Sequence, residues 1–318
     1  MLNGTRRFGA LAIAAAMFAA ACTSASATPT PPATATPVPA TPTAAASGSA
    51  APVATPAPTI NCVTGSITSA GSTALQPLIQ AAATAYAKAC PGATITVNGG
   101  GSGTGLSQVA AGSVQIGASD VLAGSKLATA DANKLVDHIV ARQGWIVVTN
   151  KDVTGVTNLT TKQNIDIWTG VDTNWKQVGG PDLPIILIFR PASSGTRATF
   201  KSLVLGGAKE ATGGQTLTED SNGAVTTAVT KTNGAVSVIG FAYYNDPANK
   251  PLLNGLQLDG VDATVANMAS STYKLAADGH MYTNGQPTGL TAAFLDYMMG
   301  PEVQGTLIPS LSYAPVVH

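Results

Sequence analysis

Two short stretches pair small hydroxyl residues with glycine, Gly101-Ser102-Gly103-Thr104-Gly105 and Ser194-Gly195-Thr196, and a third, Ser72-Thr73, follows Gly71. Each comes after a run that reads as a strand and before one that reads as a helix. The first turn of a helix leaves N–H groups unpaired, its dipole is positive there, and Ser or Thr hydroxyls add further donors. Three such ends could encircle a tetrahedral oxyanion. Arg190, four residues before Ser194, could add a charge-assisted bidentate contact. Taken singly these features are ordinary: Ser and Thr cap helices, glycines make turns, and an arginine is usually a solvated charge. The case rests on one device recurring in two halves of the chain.

The elements that must position these residues follow from periodicity. Val63–Ser69 reads as a strand, and Leu75, Leu78, Ile79, Ala82 and Tyr86 then recur at helical spacing up to Cys90-Pro91-Gly92. Thr94–Asn98 is a second strand, a helix follows with Leu106, Val109 and Ala110 on one side, and Val114–Ala118 is a third strand running into Ser119-Asp120. The second half repeats the layout, with strands at Trp145–Thr149 and Pro184–Phe189 and helices around Lys162–Trp168 and after Arg197. A helix at Thr291–Met299 and an extended piece at Leu311–Val317 close the chain. Strands alternating with helices predict an α/β architecture.

Composition bounds the function. Of 318 residues, 16 are basic and 16 acidic, so no basic field is available to hold nucleic acid or an anionic membrane. Aromatics make up 5% while glycine numbers 34, which favours small polar ligands over stacked bases. Enzyme signatures are missing. The glycine run lacks the Gly-Lys-Ser/Thr ending of a Walker A motif, Leu106 stands where G-x-G-x-x-G needs glycine, and no G-x-S-x-G occurs. His138, His280 and His318 show no metal-ligand spacing, so neither a metal nor a cofactor is expected.

Arg6-Arg7 followed by the apolar run Phe8–Ala21 reads as a secretory signal over residues 1–21. The run ends Ala19-Ala20-Ala21-Cys22, which resembles a bacterial lipobox and would make Cys22 an acylated N-terminus; cleavage after Ala25-Ser26-Ala27 is the alternative. Residues 22–60, rich in Thr, Pro, Ala and Ser, cannot bury an apolar face and read as a disordered tether, able to reach about 100 Å if fully extended. Cys62 and Cys90 form an even pair, expected as a disulfide in an exported protein or else as two buried thiols.

In its spaced motifs the chain resembles the phosphate-binding proteins of bacterial phosphate ABC transporters, receptors with the two-lobed type II periplasmic-binding fold. The stretches that carry the resemblance are Ala70-Gly71-Ser72-Thr73 with Gln76-Pro77-Leu78, then Gly100–Gly105, Ile116–Asp120, Arg190–Arg197, Ile239-Gly240-Phe241 and Pro301-Glu302-Val303-Gln304, spanning about 61–318. The resemblance implies phosphate contacts at Ser72, Thr73, Ala74 (through its N–H), Ser102, Asp120, Arg190, Ser194, Gly195 and Thr196, with Arg197 a further candidate. Ala74 stands where relatives carry an aromatic. Asp120 would accept the proton that phosphate carries and sulfate lacks, so that a sulfate would face an unpaired carboxylate. The resemblance also implies that residues 61–142 and 243–318 form one lobe and 143–242 the other, with crossings near Val140–Trp145 and Phe241–Asn245. It further implies delivery to a transporter permease by a monomer, for which a lipid on Cys22 would be the only membrane anchor, on the extracytoplasmic side of the cell membrane (periplasm or outer surface). Binding of sulfate, molybdate or tungstate, or phosphate scavenging or sensing without a transporter, are the competing expectations, with a phosphatase behind them.

Overall fold

The computed structural model describes residues 60–214 and 216–316. The expected signal segment, Cys22 and all of the tether except Ile60 lie outside the described residues.

The chain opens with β1 (Gly65–Gly71), α1 (Gln76–Ala89), β2 (Ala93–Gly100), α2 (Ser102–Ala110), β3 (Ile116–Ser119) and the short α3 (Thr129–Ala132). β4 (Leu135–Thr149) is the longest strand, at 15 residues. There follow β5 (Asn158–Leu159), α4 (Thr161–Thr169), β6 (Ile186–Phe189), α5 (Gly195–Leu203), β7 (Thr216–Thr218), α6 (Asn222–Lys231), β8 (Ala235–Gly240) and α7 (Phe241–Asn245). The last elements are β9 (Asn254–Leu258), α8 (Val265–Ala269), β10 (Ala276–Asn284), α9 (Gly289–Met298) and α10 (Ile308–Ser310).

β1, β2 and β3 pair in parallel, and so do β6, β7 and β8. The full order is β2-β1-β3-β10-β4-β8-β6-β7, with β9 joining β4 and β5 joining β9. β4 links the two parallel sets. Its first part, Leu135–Gly144, pairs antiparallel with β10, and its second, Trp145–Thr149, pairs with β8 and β9. The expected strand at Trp145–Thr149 is thus the far end of a longer one. From Trp145 to Thr149 every residue is buried, which is why it reads as a near-continuous apolar run.

Two main cores form around these sets. In the first, α1 turns Leu78, Ile79, Ala82 and Tyr86 inward against Ile95, Ile116, Met281 and Phe294. The second gathers Trp145, Val147, Trp168, Trp175, Ile188, Phe200, Val225, Val236 and Val238, with Trp168 edge-on to Phe189 and Phe200. Cys62 and Cys90 form a disulfide, tying the entry to β1 to the C-cap of α1.

Three features depart from the sequence expectations. The helix foreseen from Leu106 begins at Ser102, inside the glycine run. Of the extended piece expected at Leu311–Val317, the described residues, 311–316, keep one bridge, Ala314 with Arg142, because Leu311-Ser312 form a turn with Ser312 at φ 66°; residue 317 lies outside the described residues. Finally, at Phe241–Asn245 the chain meets the first core through Ala242 and a 2.7 Å bond from Asn245 Nδ2 to Ser312 Oγ, and then turns back. Leu253, Leu256, Leu258, Met268, Tyr273 and Leu275 all join the second core. β10 then carries the chain back to the first set.

Candidate anion-binding site

In each parallel set the loops after the strands' C-terminal ends lead into helices, the place where open α/β sheets bind ligands. β1 delivers Ser72 and Thr73, β2 delivers Ser102 and β3 delivers Asp120; β6 delivers Arg190 and Ser194, and β7 delivers Asn222. The two groups meet. Gly103 N–H donates to Ser193 O at 2.8 Å, and Arg190 Nη2 lies 3.3 Å from Thr73 Oγ1.

Gly101 precedes α2 with φ 86°, a left-handed conformation that glycine adopts without strain. Gly195 is required for a different reason: a Cβ there would lie 2.7 Å from Asp120 Cβ and collide with Ser102 Oγ. The start of α5 can approach Ser102 and Asp120 only because that position has no side chain.

Arg190 is 4% exposed. Its Nη2 donates to Asp220 O at 2.8 Å and to Thr73 Oγ1, while Nε and Nη1 have no partner. Burial disfavours its charge, and Asp120 opposes that effect. Two orphan donors on a buried guanidinium are costly unless an acceptor sits before them. Thr73 points the same way: its oxygen accepts from Arg190 and, at 2.9 Å, from Asn222 Nδ2, so its one hydrogen remains to donate elsewhere. Ser194 Oγ accepts from Arg197 N–H as the N-cap of α5, and Ser102 Oγ accepts from Asp120 N–H at 3.0 Å, so both hydroxyls likewise keep a hydrogen free.

Asp120 is 3% exposed and its pKa is raised, with burial outweighing the hydrogen bonds from Ser72, Gln143 and Thr196 and the charge of Arg190. Ser72 Oγ and Gln143 Nε2 (3.0 Å) donate to Oδ1, and Thr196 Oγ1 donates to Oδ2 at 3.2 Å. A carboxylate offers about four acceptor positions, so roughly one is left, on Oδ2, for a proton brought by a ligand.

All nine expected residues are therefore brought together, but with unequal parts. Thr196 Oγ1 accepts from Trp145 Nε1 at 3.1 Å and donates to Asp120, which leaves only its N–H for a ligand. The Ala74 N–H, expected to face the ligand, is taken by Ser72 Oγ at 3.1 Å. Ala74 is buried and joins the second core, packed against Gly240, where an added Cβ would lie 3.1 Å from the Ala74 Cβ. Ser72 itself is committed to Asp120 and to the turn it closes. Arg197 is also spent: it clamps Glu210 through Nε and Nη2 and holds Arg190 O through Nη1 at 2.6 Å, so it positions Arg190 from behind.

Two residues escaped the sequence reading. Asn222 is fully buried, bonds Thr73 and accepts from Gly240 N–H at 2.8 Å; its signal was Ser221-Asn222 at the start of a third helix after a strand. Gln143 left no such signal, because one amide inside an apolar strand has no pattern. His138 and His280 lie on β4 and β10 and bond Thr283 and Asp137. Among the described residues no group of three or more His, Cys, Asp or Glu could hold a metal, and no helix is long and apolar enough to cross a membrane.

Comparison with known proteins gives a consistent picture. A family model described as a PBP superfamily domain matches residues 40–302. The phosphate-binding protein PstS of Bacillus subtilis is 43% identical over 252 residues, covering 79% of this chain and 81% of that one. Among solved structures, an ABC-type phosphate transport receptor from Vibrio cholerae superposes with a TM-score of 0.61 at 30% identity, covering 79% of this chain and all of the other. A candidate phosphate ABC transporter substrate-binding protein from Clostridium perfringens, solved with bound phosphate, gives 0.72 at 29% identity, covering 80% and 100%.

Proposed function

We infer that this chain, which belongs to the PBP superfamily and within it to the phosphate-binding proteins of bacterial phosphate ABC transporters, captures inorganic phosphate and hands it to a membrane permease. The observation that carries this reading is the pairing of Arg190, buried with two orphan donors, with Asp120, buried with one acceptor position left. An anion satisfies the first and a protonated anion satisfies the second. Phosphate near neutral pH is both, whereas sulfate is only the first.

In this reading the ligand lies between two lobes, 61–144 with 278–316, and 145–277, a division that follows the two cores except that Ala74 of the first lobe is seated in the second core. The second boundary differs from the one expected at 242/243. Thr73, Ser102 and Asp120 come from the first lobe, and Arg190, Ser194, Gly195, Thr196 and Asn222 from the second. Only the closed form presents both groups at once, so phosphate drives closure by its differential affinity. The role is capture and release, with no bond of the anion made or broken. Cys22 acylation would hold a monomer outside the cell membrane on the 22–60 tether.

Titration calorimetry with phosphate, sulfate and molybdate tests the assignment. Wild type should bind one phosphate and reject sulfate, and Asp120→Asn should accept sulfate. If sulfate or molybdate gives heat while phosphate gives none, the ligand and the role of Asp120 are both wrong.

A further inference from the structure

The half-buried Lys126 lies outside the cradle yet bridges to the loop that supplies half of it. Its Nζ donates to Ala192 O at 2.7 Å and, more weakly, to Ser194 O at 3.4 Å. Lys126 belongs to the first lobe, while both carbonyls belong to the second-lobe loop before α5. The lysine is well anchored. It follows directly on a 3-10 turn, Ala123–Ser125, with its N–H on Ala123 O at 3.0 Å. Ala123 is buried in a small core with Leu106, Val109 and Tyr282, and its N–H donates to Tyr282 OH, which donates in turn to Asp137 Oδ2 at 3.0 Å.

Between Ala192 and Ser194 the intervening carbonyl, Ser193 O, is held by Gly103 N–H, also from the first lobe. Three successive carbonyls of one loop are thus gripped across the cleft. In a trans peptide the C=O and the following N–H point in opposite directions. Ser194 C=O points along α5, where it also accepts from Ala198 N–H at 3.3 Å, so Gly195 N–H faces out of the helix's N-terminal end and Lys126 braces a peptide that the helix already orients.

On the reading of the site given above, we propose that Lys126 is a closure latch, a positioning residue that holds the lobes together through Ala192 and Ser194 and steadies the start of α5 without touching the anion. One charge-assisted bond that exists only in the closed form, partly screened by water, corresponds to about a tenfold effect.

The test uses the full-length protein with Lys126→Met, which keeps the stem and removes the donors. Phosphate release measured by stopped flow should quicken about tenfold, with the association rate within about twofold of wild type. The phosphate-to-sulfate ratio and the melting temperature of the ligand-free protein should not change, and Lys126→Arg should recover part of the slow release. Unchanged release overturns the latch. So does an altered ratio, which would make Lys126 an anion contact, and so does a fall in the ligand-free melting temperature, which would make its role one of folding. If wild type binds no phosphate, the proposed function fails instead. The latch is then read from fluorescence transfer between dyes on the two lobes without ligand: fewer closed molecules in Lys126→Met support it, and equal numbers refute it.

Discussion

A guanidinium buried with two donors unused is stable only if something else needs it there. Arg190 bonds Thr73 and Asp220 O and is held through its carbonyl by Arg197, and on the proposed reading the anion is the partner of its two orphan donors. Truncating one partner of a buried charged pair costs about 2–5 kcal/mol, so Arg190→Met should weaken phosphate binding by roughly thirtyfold or more, as read by calorimetry. Arg190→Lys should restore little, since an ammonium cannot reproduce two parallel donors. Asp120 gives a pH test. Burial raises its pKa above 3.8, so as pH falls the carboxyl takes a proton earlier than an ordinary aspartate and becomes a donor. Sulfate affinity in wild type should therefore rise on acidification, beginning above the usual carboxylate range, while Asp120→Asn binds sulfate with little pH dependence. A flat sulfate profile in wild type would remove Asp120 from the discrimination. Arg190 stands out in the sequence because it ends a strand four residues before Ser194, whereas Asp120 is singled out there only by the family resemblance. Gln143 was not legible, because what makes it matter is the carboxylate that β3 brings to it from 23 residues away.

The strand–loop–helix units were the most legible level, since each is written within about 30 consecutive residues. What sequence could not show is how far an element runs when its partners are remote. β4 continues back to Leu135 because β10, more than a hundred residues later, pairs with it, and α2 starts at Ser102 because Gly101 can turn the chain at positive φ. The unit made by β6 and α5 depends on Gly195. Gly195→Ala should leave the ligand-free melting temperature within about 1 °C, because the clash is with the other lobe, yet weaken phosphate at least tenfold by blocking closure. An equal loss of stability without ligand would mean the contact belongs to the fold and not to closure. The Cys62–Cys90 bond acts on another unit. It closes a loop of 28 residues, for which chain entropy predicts about 3–4 kcal/mol. Replacing both cysteines by alanine should lower the melting temperature by roughly 10 °C. Phosphate affinity should hardly move, because α1, roughly 20 Å long, separates the disulfide from Ser72.

At the scale of the molecule, two cores are joined where Gly144 pairs with Ala276 and Trp145 with Gly240, so the lobes share a strand but each keeps its own interior. The two-lobed plan was legible because the same strand–helix pattern occurs twice. The return crossing was not, because α7 touches the first core before the chain goes back, and only the packing of Leu253, Leu256 and Leu258 reveals it. This architecture sets a thermodynamic test of where the ligand sits. With β4 running through both cores and Ala74 of the first lobe seated in the second, the body should unfold as one unit. A ligand that binds only the closed form then stabilises all of it, by about 2.7 kcal/mol at a hundred times its dissociation constant, which for a body of this size is a rise of roughly 5–10 °C. Scanning calorimetry with and without phosphate should give a single transition that moves as a whole. Were the trace instead to split, with one transition shifting and the other fixed, phosphate would be held by one lobe alone. Closure could not then be driven by donors drawn from both.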